Sequence, residues 1–271
     1  MDKLPAILGI VNITEDSFSD GGRFLAADAA IAHAKKLIEE GAAVLDLGAA
    51  ASNPDAKQIA PAEEIARLSP VVAALRERNI AISVDTSSPD VQHWAMMQGV
   101  DYLNDIHGFP EPELYPALAA SQAKLIVMHA IQDKGRATRV EVAPREIVGR
   151  VRHFFETRIS ALEKAGIARC RLILDPGMGF FLGSEPQVSF EVLRSLPELK
   201  RELGLPFLVS VSRKSFLRKI TGRALGGAGP ATLTAELFAV FQGADYIRTH
   251  DPAALADGLA VWAAATTPNT A

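Results

Sequence analysis

Cysteine is almost missing from this chain: Cys170 stands alone among 271 residues. An internal disulfide is therefore excluded, and so is a zinc cage built from thiolates. Long apolar runs are missing as well, and none approaches the roughly 20 residues of a membrane-spanning helix. The opening stretch MDKLPAILGIVN has an apolar run too short for a secretory signal, and Asp2 lies in its flank. Polar Asn12, Thr14, Glu15 and Asp16 follow it without a small-residue cleavage site. A strong charge of one sign is also lacking. The net charge of -4 gives no general pull toward nucleic acid or acidic membranes, so any anion has to be held by a local cluster of basic groups. These absences point to a soluble, cytoplasmic protein that partners neither nucleic acid nor membrane.

What is present is a large stock of core-forming residues, 48% hydrophobic against 22% charged, which argues against disorder. Short apolar, β-branched runs recur, each followed by a longer stretch of helical periodicity. The candidate strands are 6–12, 43–48, 81–85, 101–105, 124–129, 171–175, 207–212 and 245–250. Between them lie helical segments such as AAIAHAKKLIEEG, PAEEIARLSPVVAALRER and REIVGRVRHFFETRISALEKAG. Gly41 and Gly166 close two of these, as suits a left-handed helix C-terminus. Eight strand–helix units predict an α/β fold, a single (β/α)8 TIM barrel over residues 1–271 with a frayed tail from about 267. A doubly wound open sheet is the competing architecture. It usually carries a G-x-G-x-x-G after its first strand, and none is found there. Two longer connections, 13–26 and 130–143, have the length of lids or ligand-binding loops.

Barrel enzymes take their catalytic groups from the C-terminal ends of strands. Here strand one delivers Asn12, strand three Asp85, and strand four Asn104 and Asp105. Strand five brings Met128 and His129, strand six Asp175, strand seven Ser212, Arg213 and Lys214, and strand eight Arg248 and His250. A lone Asp or Asn ending a strand is more often a helix N-cap than a catalyst. Asp85 before TSSP and Asp251 before PAAL both fit that role, and His129 fits a satisfied core histidine. The convergence of complementary groups is harder to explain structurally. Asp85, Asn104, Asp175 and Lys214 offer carboxylates, an amide and an ammonium, matched to the amino-pyrimidinone edge of a flat heterocycle. Asn12, Arg248 and His250 form a plausible anion and metal clamp, and Arg248 can also cover a ring. Gly177 and Gly179 would let the backbone approach a ligand, though a simple turn explains them as often. Ser212 to Ser215 should lie at a strand-to-helix junction, a natural carboxylate or phosphate seat.

With these motifs the chain resembles the dihydropteroate synthases. The matching segments are GIVNITEDSFSDGG (9–22), SVDTSSP (83–89), YLNDIHGF (102–109), LDPGMGF (174–180), SVSRKS (210–215) and IRTHD (247–251), in the family's order over essentially the whole chain. The resemblance implies a transferase that joins 6-hydroxymethyl-7,8-dihydropterin diphosphate to p-aminobenzoate with loss of pyrophosphate. It implies pterin contacts from Asp85, Asn104, Met128, Asp175, Lys214 and Arg248, with Asp85, Asp175 and Lys214 the catalytic groups. Asn12 would contact Mg2+ and the diphosphate, joined by Arg248 and His250. The p-aminobenzoate would meet Ser52, Pro54, Phe181 and Ser215. A homodimer through the C-terminal helices is also implied, for which LFAVF and LAVWAAA could supply an apolar surface; core-facing stripes explain the same residues.

Two departures stand out. After strand two the family usually has Thr, Arg, Pro and Gly, whereas this chain reads GAAASNPDA, which removes one positive charge from the mouth. After DPGMGF the usual Gly–Lys is replaced by Phe181–Leu182. Together they resemble the mobile, sulfonamide-insensitive members, with Phe181 adding bulk beside the p-aminobenzoate site; a merely loop-packing Phe181 is the alternative. Rival readings of the whole are a methyltetrahydrofolate-type methyl carrier barrel and a non-catalytic pterin-binding paralogue. SVSRKS and RTH count against the first, and the intact set Asn12, Lys214, Arg248 and His250 against the second.

Overall fold

The computed structural model describes residues 4–13, 23–50, 59–132 and 140–266. Every apolar run read from the sequence forms a strand: β1 (Ala6–Asn12), β2 (Val44–Gly48), β3 (Ile82–Asp85), β4 (Tyr102–Asp105), β5 (Lys124–Met128), β6 (Leu172–Asp175), β7 (Leu208–Val209) and β8 (Tyr246–Thr249). All pair in parallel in the order β6-β5-β4-β3-β2-β1-β8-β7. The bridge Leu174↔Phe207 joins the two ends, so the sheet closes into the expected (β/α)8 barrel. The seventh strand is shorter than the expected 207–212. Pro206 has no N–H to give, and the chain leaves the ladder after Val209.

Helices cover the outside: α1 (Arg23–Glu39), α2 (Pro61–Arg76), α3 (Pro89–Met97), α4 (Tyr115–Ala120), α5 (Pro144–Lys164), α6 (Pro186–Arg194), α7 (Leu196–Leu203), α8 (Ser215–Thr221), α9 (Gly229–Phe241) and α10 (Pro252–Thr266). In α5 the buried residues Ile147, Val151, Phe155, Ile159 and Leu162 recur three or four apart, which lays one stripe on the barrel. The first connection is shorter than 13–26, because α1 takes over at Arg23. Among the described residues, no helix is long and apolar enough to cross a membrane. Cys170 is exposed in the short turn before β6, at the end of the barrel away from the strand C-termini.

Strand side chains alternate between the barrel interior and the helices. Leu8, Val44, Ile126, Ile173 and Leu208 form one inward layer, packed with Tyr102 and Tyr246. Two residues further along the same strands, the inward positions become Ile10, Asp46, Met128, Asp175 and Ser210, with Asn104 and Arg248 following the two tyrosines. The lower barrel is therefore a hydrocarbon plug, and directly above it polar groups take over.

Candidate active site

The inward polar residues meet each other. Arg248 on β8 directs Nε to the Asp46 carboxylate at 2.5 Å and Nη2 to Asp85 Oδ2 at 2.7 Å. Asn104 Nδ2 donates to Asp46 Oδ2 at 3.5 Å. Asp175 Oδ1 accepts the Gly177 amide at 2.8 Å. The Lys214 ammonium lies 5.0 Å above the Phe181 ring, within cation–π range. Asp46 Oδ1 and Asn104 Oδ1 are buried acceptors with no partner among the described residues. A buried site with spare acceptors is built to receive N–H groups.

Burial sets the charge states. Burial, with the Asp46 charge adding to it, pushes the Asp85 carboxyl up to about 7, while Arg248 and Lys214 pull it down. Burial likewise lifts Asp175 to about 6 against the Gly177 hydrogen bond and Lys214. Lys214 falls to about 8, chiefly through burial and the nearby Arg248. Arg248 stays charged, held by Asp46 and Asp85. The floor thus carries two carboxylates and an ammonium that titrate close to neutrality, a pattern typical of functional sites.

Asp85 is not the helix cap its position allowed. Ser88 caps α3, accepting from the Val91 amide, which leaves the Asp85 side chain for the barrel. Asp251 does cap, with Oδ1 accepting from Ala254 at 3.1 Å. Asp105 points outward and ties its own loop, accepting the His107 and Phe109 amides, each at 2.9 Å. Phe109 is buried with φ 59, and Arg158 pins the Gly108 and Phe109 carbonyls. His129 is a core histidine: its Nδ1 meets the Pro176 carbonyl, and burial lowers it to about 4.

One apolar wall was not anticipated. Ile106, Met128, Ala130 and Phe181 pack together with Phe180 against them. Ile106 escaped notice because it lies one residue past its strand, in the loop that Arg158 fixes. Asp46 was missed because it is in mid-strand rather than at a strand end. Gly177 serves a different purpose from the one expected. At φ +70 a Cβ there would lie 2.4 Å from the His129 carbonyl, so it permits close loop packing rather than ligand approach. Gly179 does border the site, since its missing Cβ would lie 3.6 Å from Ser215 Oγ and 3.7 Å from Lys214 Cδ.

At the rim, Asn12 is exposed at the end of β1. Ser212 Oγ accepts the His250 amide at 3.1 Å and also meets His250 Nδ1 at 2.9 Å, which orients the ring. Burial and the cations Arg213, Arg248 and Lys214 lower His250 to about 3, so it is neutral and contributes a hydrogen bond rather than charge. Lys214 is the N-cap residue of α8 and Ser215 its first residue, as the junction reading expected. Ser52, Pro54 and the departure at Asn53 lie outside the described residues, as do 14–22 and 133–139 of the two long connections 13–26 and 130–143.

The pattern that defines pterin binding enzymes matches residues 8–250. An Escherichia coli protein named dihydropteroate synthase type-2 is 57% identical over 264 residues, covering 97% of each chain. The chain belongs to the dihydropteroate synthases. A solved dihydropteroate synthase of Xanthomonas albilineans with 4-aminobenzoic acid superposes with TM-score 0.88 at 37% identity, over 97% of this chain and 94% of that one. The same enzyme in complex with 7,8-dihydropteroate gives a TM-score of 0.81 at 33% identity, with the same coverage. This membership gives the inward carboxylates a family context: they line the mouth of a barrel built for a pterin.

Proposed function

We propose that the mouth of the barrel joins 6-hydroxymethyl-7,8-dihydropterin diphosphate to p-aminobenzoate, with the pterin on the Asp85–Asn104–Asp175–Lys214 floor. The observation that carries this is the set of inward carboxylate and amide oxygens grouped around Lys214 in a buried site. Ionised Asp85 and Asp175 accept the N–H groups of the heterocycle, and Lys214 donates to its carbonyl. Met128 and Ile106 cover one ring face. Arg248 lies over the other and reaches toward the diphosphate.

In the reaction, the bond from the exocyclic methylene to the diphosphate oxygen breaks and its electron pair leaves with pyrophosphate. The arylamine nitrogen then bonds the methylene carbon and gives up a proton. Asp85 and Asp175 stabilise positive charge on the pterin as the C–O bond loosens. Arg248 and the neutral ring of His250 receive the departing anion. The p-aminobenzoate lies against Phe181 with its carboxylate at Ser215, and the family resemblance adds Ser52 and Pro54 to its contacts.

The described residues contain no cluster of three His, Cys, Asp or Glu suited to a metal. Mg2+ fits nonetheless, since it takes few protein oxygens and keeps phosphate oxygens and water. Asn12 would hold it with the diphosphate, where it would neutralise charge on the leaving group.

Calorimetric titration with 6-hydroxymethylpterin from pH 5 to 7.5 tests the floor. The ionised carboxylates bind the ligand, and they titrate at about 6 and about 7. Affinity should therefore rise with pH, with protons released on binding at pH 6. Affinity that is flat or grows toward pH 5 would refute these roles.

We further propose a cytoplasmic homodimer. Phe238, Phe241 and Val261 are exposed on α9 and α10, and Phe241 stacks edge-on with Trp262 at 5.9 Å. Sedimentation should give twice the 28.9 kDa chain mass. A monomer mass at micromolar concentration would count against it.

A further inference from the structure

Asp46 is fully buried in mid-strand on β2, where its backbone pairs with Ile10 and Ser83 and a carboxylate adds nothing to the ladder. It lies one inward layer above Val44, where the neighbouring plug is hydrocarbon. Burying a carboxylate there is costly unless it is paired. Its pairing is directional. Oδ2 accepts both the Arg248 Nε and the Asn104 Nδ2, and Oδ1 is buried with no partner among the described residues.

Two consequences follow from the fact that a carboxylate can only accept. The Asn104 group facing Asp46 must be the NH2, so the Asn104 carbonyl oxygen is turned away from Asp46 and left free for a ligand N–H. Arg248, meanwhile, divides its guanidinium between two acids, with Nε on Asp46 and Nη2 on Asp85. The Nη2 edge therefore presents to Asp85 the same N–H donors that the amino-pyrimidinone edge of a pterin would present. A pterin seated on Asp85 therefore competes with Nη2 for that carboxylate.

We infer that Asp46 is a positioning residue for the pterin half of the site: it fixes the Asn104 amide and retains Arg248 when the pterin displaces the guanidinium from Asp85. The inference rests on the pterin reading of the floor. In the free enzyme Arg248 is a placeholder that keeps Asp85 paired. On binding, the Asp85 contact opens and the Asp46 contact persists, leaving Arg248 over the ring and within reach of the leaving group. Without Asp46, Arg248 would fall fully to Asp85 and compete with substrate, and Asn104 would be free to turn its NH2 inward.

The test is Asp46→Asn, near-isosteric and lacking the charge. The KM for the pterin diphosphate should rise about tenfold or more, the loss of hydrogen bonds between charged groups. The KM for p-aminobenzoate should change less than about threefold, while kcat should fall because Arg248 is no longer held beside the leaving group. The groups facing Asp85 are Arg248, Asp46, Lys214 and Glu64. The Asp46 charge raises both Asp85 and Asp175, so its removal should move the acid limb of kcat/KM to lower pH. A merely structural role would instead raise both KM values and lower the melting temperature.

A second measurement needs no Asp46 variant. In protein labelled with 15N-arginine, the Arg248 Nε–H resonance, assigned by its absence in Arg248→Lys, should remain protected when 6-hydroxymethylpterin saturates the site. Its loss on binding would overturn the inference, and so would an unchanged pterin KM in Asp46→Asn. If the unaltered protein binds no 6-hydroxymethylpterin, the underlying reading of the floor fails as well. Binding by the wild type that Asp46→Asn matches would refute the role of Asp46 alone.

Discussion

Asp175→Asn should lower kcat by about two to three orders of magnitude, the usual loss when one preorganised stabiliser of transition-state charge is removed. The fold should survive. Asparagine keeps an oxygen that can accept the Gly177 amide, now at 2.8 Å from Asp175 Oδ1, and it no longer buries a charge. The carboxyl of Asp175 titrates at about 6 because burial opposes its ionisation. The protein therefore maintains a desolvated anion at neutral pH, placed to stabilise positive charge that develops beside it. The deficit should fall mainly on kcat, since the charge grows as the C–O bond breaks. A second effect runs through Lys214, whose proton Asp175 helps to retain. Without that help Lys214 should lose its proton below its present value of about 8, moving the basic limb of the pH profile downward. Steady-state kinetics with a parallel thermal melt decides the matter. Turnover near that of the wild type would remove Asp175 from the chemistry.

The second large effect concerns Phe181. Its ring is buried against Ile106, Met128 and Ala130 and lies 5.0 Å below the Lys214 ammonium. It borders the same loop as Gly179, which in turn faces Ser215. A side chain placed there meets the part of an arylamine ligand beyond the bond-forming nitrogen. A sulfonamide is bulkier at that end than a carboxylate. The difference in fit is worth roughly 1–3 kcal/mol, or 10- to 200-fold. Phe181→Gly should therefore strengthen sulfamethoxazole inhibition by about that factor while the KM for p-aminobenzoate changes much less. Removing the ring also empties a small apolar cluster, so the melting temperature should fall. Unchanged inhibition in a folded variant would reduce Phe181 to a packing residue. A KM for p-aminobenzoate that worsens in step with the gain in inhibition would mean that the ring does not discriminate between the two ligands.

The barrel was legible because the strand runs are short, apolar and evenly spaced, and a closed parallel sheet leaves no other use for eight of them. Strand ends were legible for the same reason, so Asp85, Asn104, Asp175, Lys214 and Arg248 could be placed at one mouth before any coordinates. Asp46 was hidden inside VLDLG, where attention to strand ends passes over it. The period-two rule could have found it, because Asp46 is two residues from Val44 and in phase with Gly48 on the interior face. The roles of neighbouring acids were harder. Asp85 and Asp105 both end strands, and only the cap at Ser88 and the bonds to His107 and Phe109 show which one faces the site. The neutrality of His250 could not be read from RTHD, since it depends first on burial and then on Arg213 and Lys214, which arrive from the segment after β7. Arg213 itself adopts φ 58, a strained left-handed conformation that nothing in SVSRKS announces.

The most direct measurement is pyrophosphate release by the purified protein given Mg2+, 6-hydroxymethyl-7,8-dihydropterin diphosphate and p-aminobenzoate, with the amine omitted as control. A synthase whose carboxylate floor holds the pterin while Phe181 guards the amine site should release pyrophosphate only when the amine is present, and should go on doing so in sulfamethoxazole. No amine-dependent release from a folded protein that binds pterin would contradict the proposed chemistry and leave a pterin-binding barrel without transferase activity.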